Sequence, residues 1–108
     1  VKFGDKMKNL IVAATVAFFS TTAIADDKFE DIRGKWLTCA ACHGDKGQGG
    51  IGPMLAGQSA DDIISKLLKY KAGIAIGPQS PLMYAQAQGL TEGQIGTFGV
   101  FVQEGFPE

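Results

Sequence analysis

From Asp27 to Ala41, Phe29, Ile32, Trp36 and Leu37 recur at intervals of three and four among polar neighbours. That period marks one face of an α-helix, and the acidic start of the stretch suits a positive helix N-terminus. The pattern predicts a first helix over residues 27–41, with Gly34 unexplained inside it. Periodicity then stops. Residues 44–57 hold six glycines and Pro53, the composition of a loop on a tight path. It resumes after Ser59, a natural N-cap, with Asp62 placed for a capping box. Ile63, Ile64, Leu67, Leu68 and the stem of Lys71 then form the apolar stripe of a second helix, Ala60–Ala72, which Gly73 ends. Residues 74–82 are irregular, with Gly77, Pro78 and Pro81. A short helix is expected over Met83–Gln88. Thr91-Glu92-Gly93-Gln94 forms a second capping box, opening a last helix to about Glu104. Ile95, Phe98 and either Phe101 or Val102 face inward there. Gly93, Gly96 and Gly99 each cost roughly 1 kcal/mol relative to Ala in a helix interior, so either this helix frays or some glycines admit a neighbouring helix. Strand signals are weak and no repeat appears, so the fold class is all-α.

The N-terminal pattern is of another kind. Lys6 and Lys8 precede an apolar run, Leu10–Phe19, broken only by Thr15, and Ala23-Ile24-Ala25 is a small-x-small cleavage site. A run of about ten residues is far short of the roughly 20 that span a bilayer. Residues 1–25 are therefore expected to be a secretory signal peptide. Met7-Lys8-Asn9 is its natural start, which would make Val1–Lys6 an upstream extension. Residues 26–108 remain as one domain, a size at which an apolar core alone is marginal.

The 108-residue chain has a formal net charge of −1. Three of its lysines and one aspartate fall in the leader, so residues 26–108 carry about −3, the wrong sign for a nucleic-acid footprint.

Both cysteines and the single histidine lie in one pentapeptide, Cys39-Ala40-Ala41-Cys42-His43. On a helix, positions i, i+3 and i+4 share a face. One turn would aim two sulfurs and an imidazole at the same flat object. The C-x-x-C-H spacing reads as covalent attachment of a c-type haem, with thioethers from Cys39 and Cys42 and His43 on the iron. A structural zinc site needs about four ligands, and no second Cys/His pair exists. A thioredoxin-like pair belongs beside a βαβ pattern, which is missing. A disulfide across two helical residues has poor geometry. The bonded haem would give the small domain an apolar plate to fold around, so the haem-free chain is expected to be largely unfolded.

With these residues in view, the chain resembles the class I cytochromes c, of the small soluble bacterial single-haem c-553 type, over residues 28–104. Cys39-Ala40-Ala41-Cys42-His43-Gly44 is the most specific match. Gly52-Pro53-Met54-Leu55-Ala56-Gly57 is similar to the family's Gly-Pro-x-Leu-x-Gly loop, and residues 67–73 are similar to the end of its middle helix. Ser80–Leu90 is similar to the segment that supplies the sixth iron ligand. The resemblance implies three to four helices packed around one covalent haem c, with the first and last helices crossing. Gly34 with Trp36, and Gly99 with Phe101, are the residues expected to permit that crossing. It also implies that the Pro53 carbonyl accepts a hydrogen bond from His43. Of Met54 and Met83, Met54 lies too close to His43 in sequence, on the loop assigned to the histidine side. Met83 follows a whole helix, so the chain can pass around the haem, and it is the expected axial ligand. The alternative is that Met83 fills the core, as Met often does.

These readings favour a one-electron carrier in the periplasm and no enzyme. A peroxidase would need acid/base groups at an open iron, and no second histidine exists. A gas sensor or a haem subunit of a larger complex is the alternative. The resemblance implies a quinol-oxidising membrane complex as donor and a terminal oxidase or periplasmic reductase as acceptor, with membrane contact only through them. Ala40, Ala41, Ile51 and the backbone of residues 47–50 form a candidate contact patch. The glycine-rich backbone is read either as lying against the haem face or as a plain surface loop. Lys46, Lys66, Lys69 and Lys71 are either steering charges for an acidic partner or ordinary solvated surface.

Overall fold

In the computed structural model, which describes residues 27–108, the chain forms four α-helices and, among those residues, no strand. They are α1 (Glu30–His43), α2 (Ala60–Lys71), α3 (Pro81–Gln88) and α4 (Glu92–Gln103). None of them is long and apolar enough to cross a membrane. The proposed leader lies outside the described residues.

Helix α1 starts later and ends later than its periodicity predicts. Asp27 makes a turn instead of a helical residue. Its carboxylate accepts from Phe29 N at 3.0 Å and its carbonyl accepts from Glu30 N at 3.1 Å. At the other end the glycine loop folds back, and Gly44, Gly52 and Gly49 donate to the carbonyls of Ala40, Cys42 and His43 at 2.7–2.8 Å. These bonds satisfy carbonyls that a helix end normally leaves open, so α1 runs through His43. Its buried face carries Phe29, Ile32, Trp36 and His43. Leu37, expected on that face, is 72% exposed, because each residue turns the helix by about 100° and Trp36 already fills the inward position.

Helix α2 is capped by Ser59, whose hydroxyl accepts from Asp62 N at 3.1 Å. The reciprocal half of the expected capping box does not form. Ile63 is buried, Ile64 and Leu67 pack on the core's edge, and Leu68 turns outward. The Lys71 stem is half-buried and its ammonium donates to the carbonyls of Leu90 and Gln88. Helix α3 begins at Pro81, two residues before the expected Met83, since proline suits the first helical position. Helix α4 has the full Thr91/Gln94 capping box. Ile95, Phe98, Phe101 and Val102 are all buried, so the two inward candidates near its end are both core residues.

The core lies where α1 and α4 meet. Phe101 of α4 packs edge-on to Phe29, just before α1, and to Trp36 of α1, with ring centroids 5.2 and 5.5 Å away. Such pairs contribute about 0.5–1.5 kcal/mol each beyond burial. The glycine part of the predicted crossing is corrected. Gly34 faces open space, while Gly99 is buried against α2, where an added Cβ would sit 2.7 Å from Ile64 Cγ1 and 2.8 Å from the Ala60 carbonyl. Two residues advance a helix by about 200°, so Gly34 and Trp36, or Gly99 and Phe101, cannot share a face.

Candidate functional site

Cys39, Cys42 and His43 occupy the last turn of α1. Cys39 is half-buried on the core edge, with its thiol against the Lys35 carbonyl, and Cys42 is exposed. Burial pushes the Cys39 thiol above its ordinary range, an effect the neighbouring Cys42 reinforces and a backbone hydrogen bond opposes. No disulfide joins the two sulfurs.

His43 is only 6% exposed. Its Nδ1 lies 2.7 Å from the carbonyl oxygen of Pro53. A carbonyl can only accept, so Nδ1 carries the proton and Nε2 keeps its lone pair for a metal. No hydrogen bond among the described residues uses Nε2. The ring is pressed from the side by Gly52, where a Cβ would fall 2.8 Å from Cε1 and 2.9 Å from Nδ1. A side chain there would displace the imidazole, which gives this glycine a physical reason. The hydrogen bond and the glycine wall fix tautomer and tilt together, the usual way a protein prepares a metal-binding histidine.

Two further loop glycines are covered by the protein itself. Gly47 is covered by the Phe106 ring and Gly49 lies on the Met54 backbone. Gly47 is buried there, which removes it from the proposed contact patch. Ala41 and Ile51 remain exposed in that patch. Of the four lysines, Lys46 is tied to the C-terminal tail, Lys66 to Gln58 at 2.8 Å and Lys71 to the Leu90 carbonyl. Only Lys69 has none of these ties, so the group is surface bracing more than a set of free steering charges.

The two methionines sit in different settings. Met54 is 58% exposed, one residue after Pro53 on the histidine-side loop. Met83 is half-buried in the first turn of α3, and its N–H donates to the Ser80 carbonyl at 2.8 Å. The residues present fit a c-type haem. Two free thiols and a proton-directed imidazole share one helical turn, and no cluster of three His, Cys, Asp or Glu side chains among the described residues offers a bare metal ion a site instead.

Comparison with known proteins decides the matter, because the family model for cytochrome c matches residues 29–98. The chain belongs to the cytochrome c family. It is similar to cytochrome c-554(548) of Halomonas halodenitrificans, 41% identical over 66 residues, which cover 59% of this chain and 80% of that protein. It is also similar to cytochrome c-554(547) of Halothiobacillus neapolitanus, 32% identical over 74 residues, covering 60% of this chain and 81% of the relative. The protein is thus a small class I c-type cytochrome that binds haem c covalently and serves haem-based electron transfer.

Sequence reasoning missed Phe106. It is 4% exposed and stacks on Trp36 with centroids 5.0 Å apart. The signal was present in Gly105, which ends α4 with a positive φ of 86°. Gly105 N donates to the Val102 carbonyl and Phe106 N to the Phe101 carbonyl, each at 3.0 Å. That is a Schellman ending, which brings the residue after the glycine back onto the helix.

Proposed function

We propose that this cytochrome is a periplasmic one-electron carrier whose haem is held by Cys39 and Cys42 through thioethers and by His43 and Met83 as axial ligands. The observation that carries this reading is the buried His43, proton-bound to Pro53 and set in one helical turn with both thiols. The haem supplies an iron that alternates between ferrous and ferric forms. Pro53 accepts the hydrogen bond from Nδ1, so the imidazole would offer Nε2 to the iron. A Met83 thioether on the iron would favour the ferrous form relative to a second histidine and raise the potential. Two protein ligands leave no open position for substrate, which suits transfer without chemistry.

Residues 1–25 act as a cleaved leader and residues 26–108 as the exported domain. The donor is a quinol-oxidising membrane complex and the acceptor a terminal oxidase or periplasmic reductase, with membrane contact only through these partners. The protein purified from the periplasmic fraction should begin at Asp26 and carry the mass of one haem. It should be reduced and reoxidised by single electrons, and its ferrous form should resist carbon monoxide at neutral pH. Rapid carbon monoxide binding would contradict the two-ligand assignment, and an absent haem mass would end it.

A further inference from the structure

We propose that Phe106, outside the haem-binding segments, is a positioning residue that holds His43 through the Gly47 corner of the glycine loop. The connection can be followed atom by atom. The Phe106 ring lies on Gly47 so closely that a Cβ there would be 2.2 Å from Cζ. Gly47, at φ 65°, is pinned under that ring. Its carbonyl accepts from Leu55 N at 2.8 Å and Ala56 N at 2.9 Å. Leu55 and Ala56 directly follow Pro53-Met54, and the Pro53 carbonyl accepts the hydrogen bond from His43 Nδ1. One aromatic ring in the tail therefore packs on the residue whose carbonyl accepts two hydrogen bonds from the segment just after Pro53.

The tail is built to hold that ring in place. Phe106 itself adopts φ 60°, a left-handed conformation that is strained for a non-glycine residue. Such strain persists where the surroundings over-determine it. Here they do so through Trp36 and Phe101 on two sides of the ring, the latter with centroids 5.6 Å away at 88°. Arg33 donates to the Pro107 carbonyl at 2.7 Å, and Lys46, on the loop itself, donates to the Phe106 carbonyl at 3.3 Å. The loop and the tail thus grip each other at both backbone and side-chain level.

The proposal rests on His43 being an iron ligand, and its test separates the two. In the ferrous holoprotein, the Nδ1 proton of His43 is followed by NMR for its chemical shift and its exchange with solvent. A wild-type shift showing no iron-bound imidazole would sink the ligand assignment. With ligation intact, Phe106→Gly removes the ring while relieving the backbone strain. Exchange of the Nδ1 proton should then accelerate on the order of tenfold, the low end of what losing such support costs. The reduction potential should shift with it. Ile95→Val, a core trim at the start of α4 away from the loop, should change neither. Should Phe106→Gly fail to assemble, Phe106→Leu serves, with an intermediate acceleration expected. Unchanged exchange in the folded Phe106 variant overturns the proposal, as does equal acceleration in Ile95→Val.

Discussion

Two irregular stretches flank the site, and they are built in opposite ways. The histidine-side loop, residues 44–57, is tied inward. Its glycines donate to the last carbonyls of α1, its Pro53 holds His43, and its Gly47 lies beneath an aromatic cluster. The methionine-side stretch, residues 74–80, is held by a knot at Ser80 and by Ile74 N, which donates to the Lys69 carbonyl at 2.8 Å. Ser80 is buried and its hydroxyl accepts from Ile76 N and Gly77 N, both at 2.8 Å. Around that knot Ile74, Ile76 and Leu82 are 45–67% exposed. The contrast teaches that the polypeptide itself organises the imidazole, whereas the proposed Met83 ligand would depend far more on its own bond to the iron. Local stability follows hydrogen bonds and buried contacts, so the methionine side should open first under stress.

The largest expected effect comes from removing what both sides share. Changing Cys39 and Cys42 together to Ala should abolish covalent haem and most of the helical signal, as read by mass and far-ultraviolet circular dichroism. Native-like helicity without haem would mean that the helices need no plate to pack on. Next, Met83→Ala breaks the methionine side alone. The reduction potential should fall on the order of 0.1 V, within the roughly 0.8 V range that axial ligands span. Carbon monoxide should bind, while the Nδ1 proton of His43 stays protected.

Gly52→Ala attacks the histidine side. Its methyl would meet the imidazole at 2.8 Å, and overpacking of this kind costs about 1–3 kcal/mol. A thermal melt should show the loss together with a shifted potential. Gly99→Ala, crowding Ile64, should cost a similar amount of stability and leave the potential nearly unchanged. That pair separates site strain from scaffold strain. Gly96→Ala, in open space on the same helix, should instead stabilise by up to about 1 kcal/mol.

The smallest effect concerns a surface pair outside both stretches. Arg33 holds the Asp27 carboxyl below its ordinary value of 3.8, and the Phe29 amide adds to this. A depressed folded value means that the pair's contribution is complete above that ordinary value and fades as pH falls through the folded one. Asp27→Asn should therefore lower Tm slightly at neutral pH, and the difference should vanish in acid.

Much of this molecule could be read from its residues. Helix existence, the Thr91 capping box and the pentapeptide at 39–43 all follow from local rules, because caps and helical spacing act within a few residues. What the pattern hid was long-range. Leu37 looked inward because periodicity alone cannot tell which of two adjacent apolar residues wins the core. Gly99 was matched to the wrong helix because a small residue shows that something comes close without showing what. The Phe106 contact spans 59 positions to Gly47 and depends on a Schellman ending whose aromatic partners are set only in three dimensions. The Pro53–His43 bond came from the resemblance, since spacing says nothing of which carbonyl meets the ring.

The central claim, a haem iron gripped by His43 and Met83, is tested most directly by the weak sulfur-to-iron charge-transfer band at the red end of the ferric spectrum. Wild type and Met54→Ala should both show it, and Met83→Ala should lack it. A band that survives in Met83→Ala, or disappears in Met54→Ala, contradicts the account.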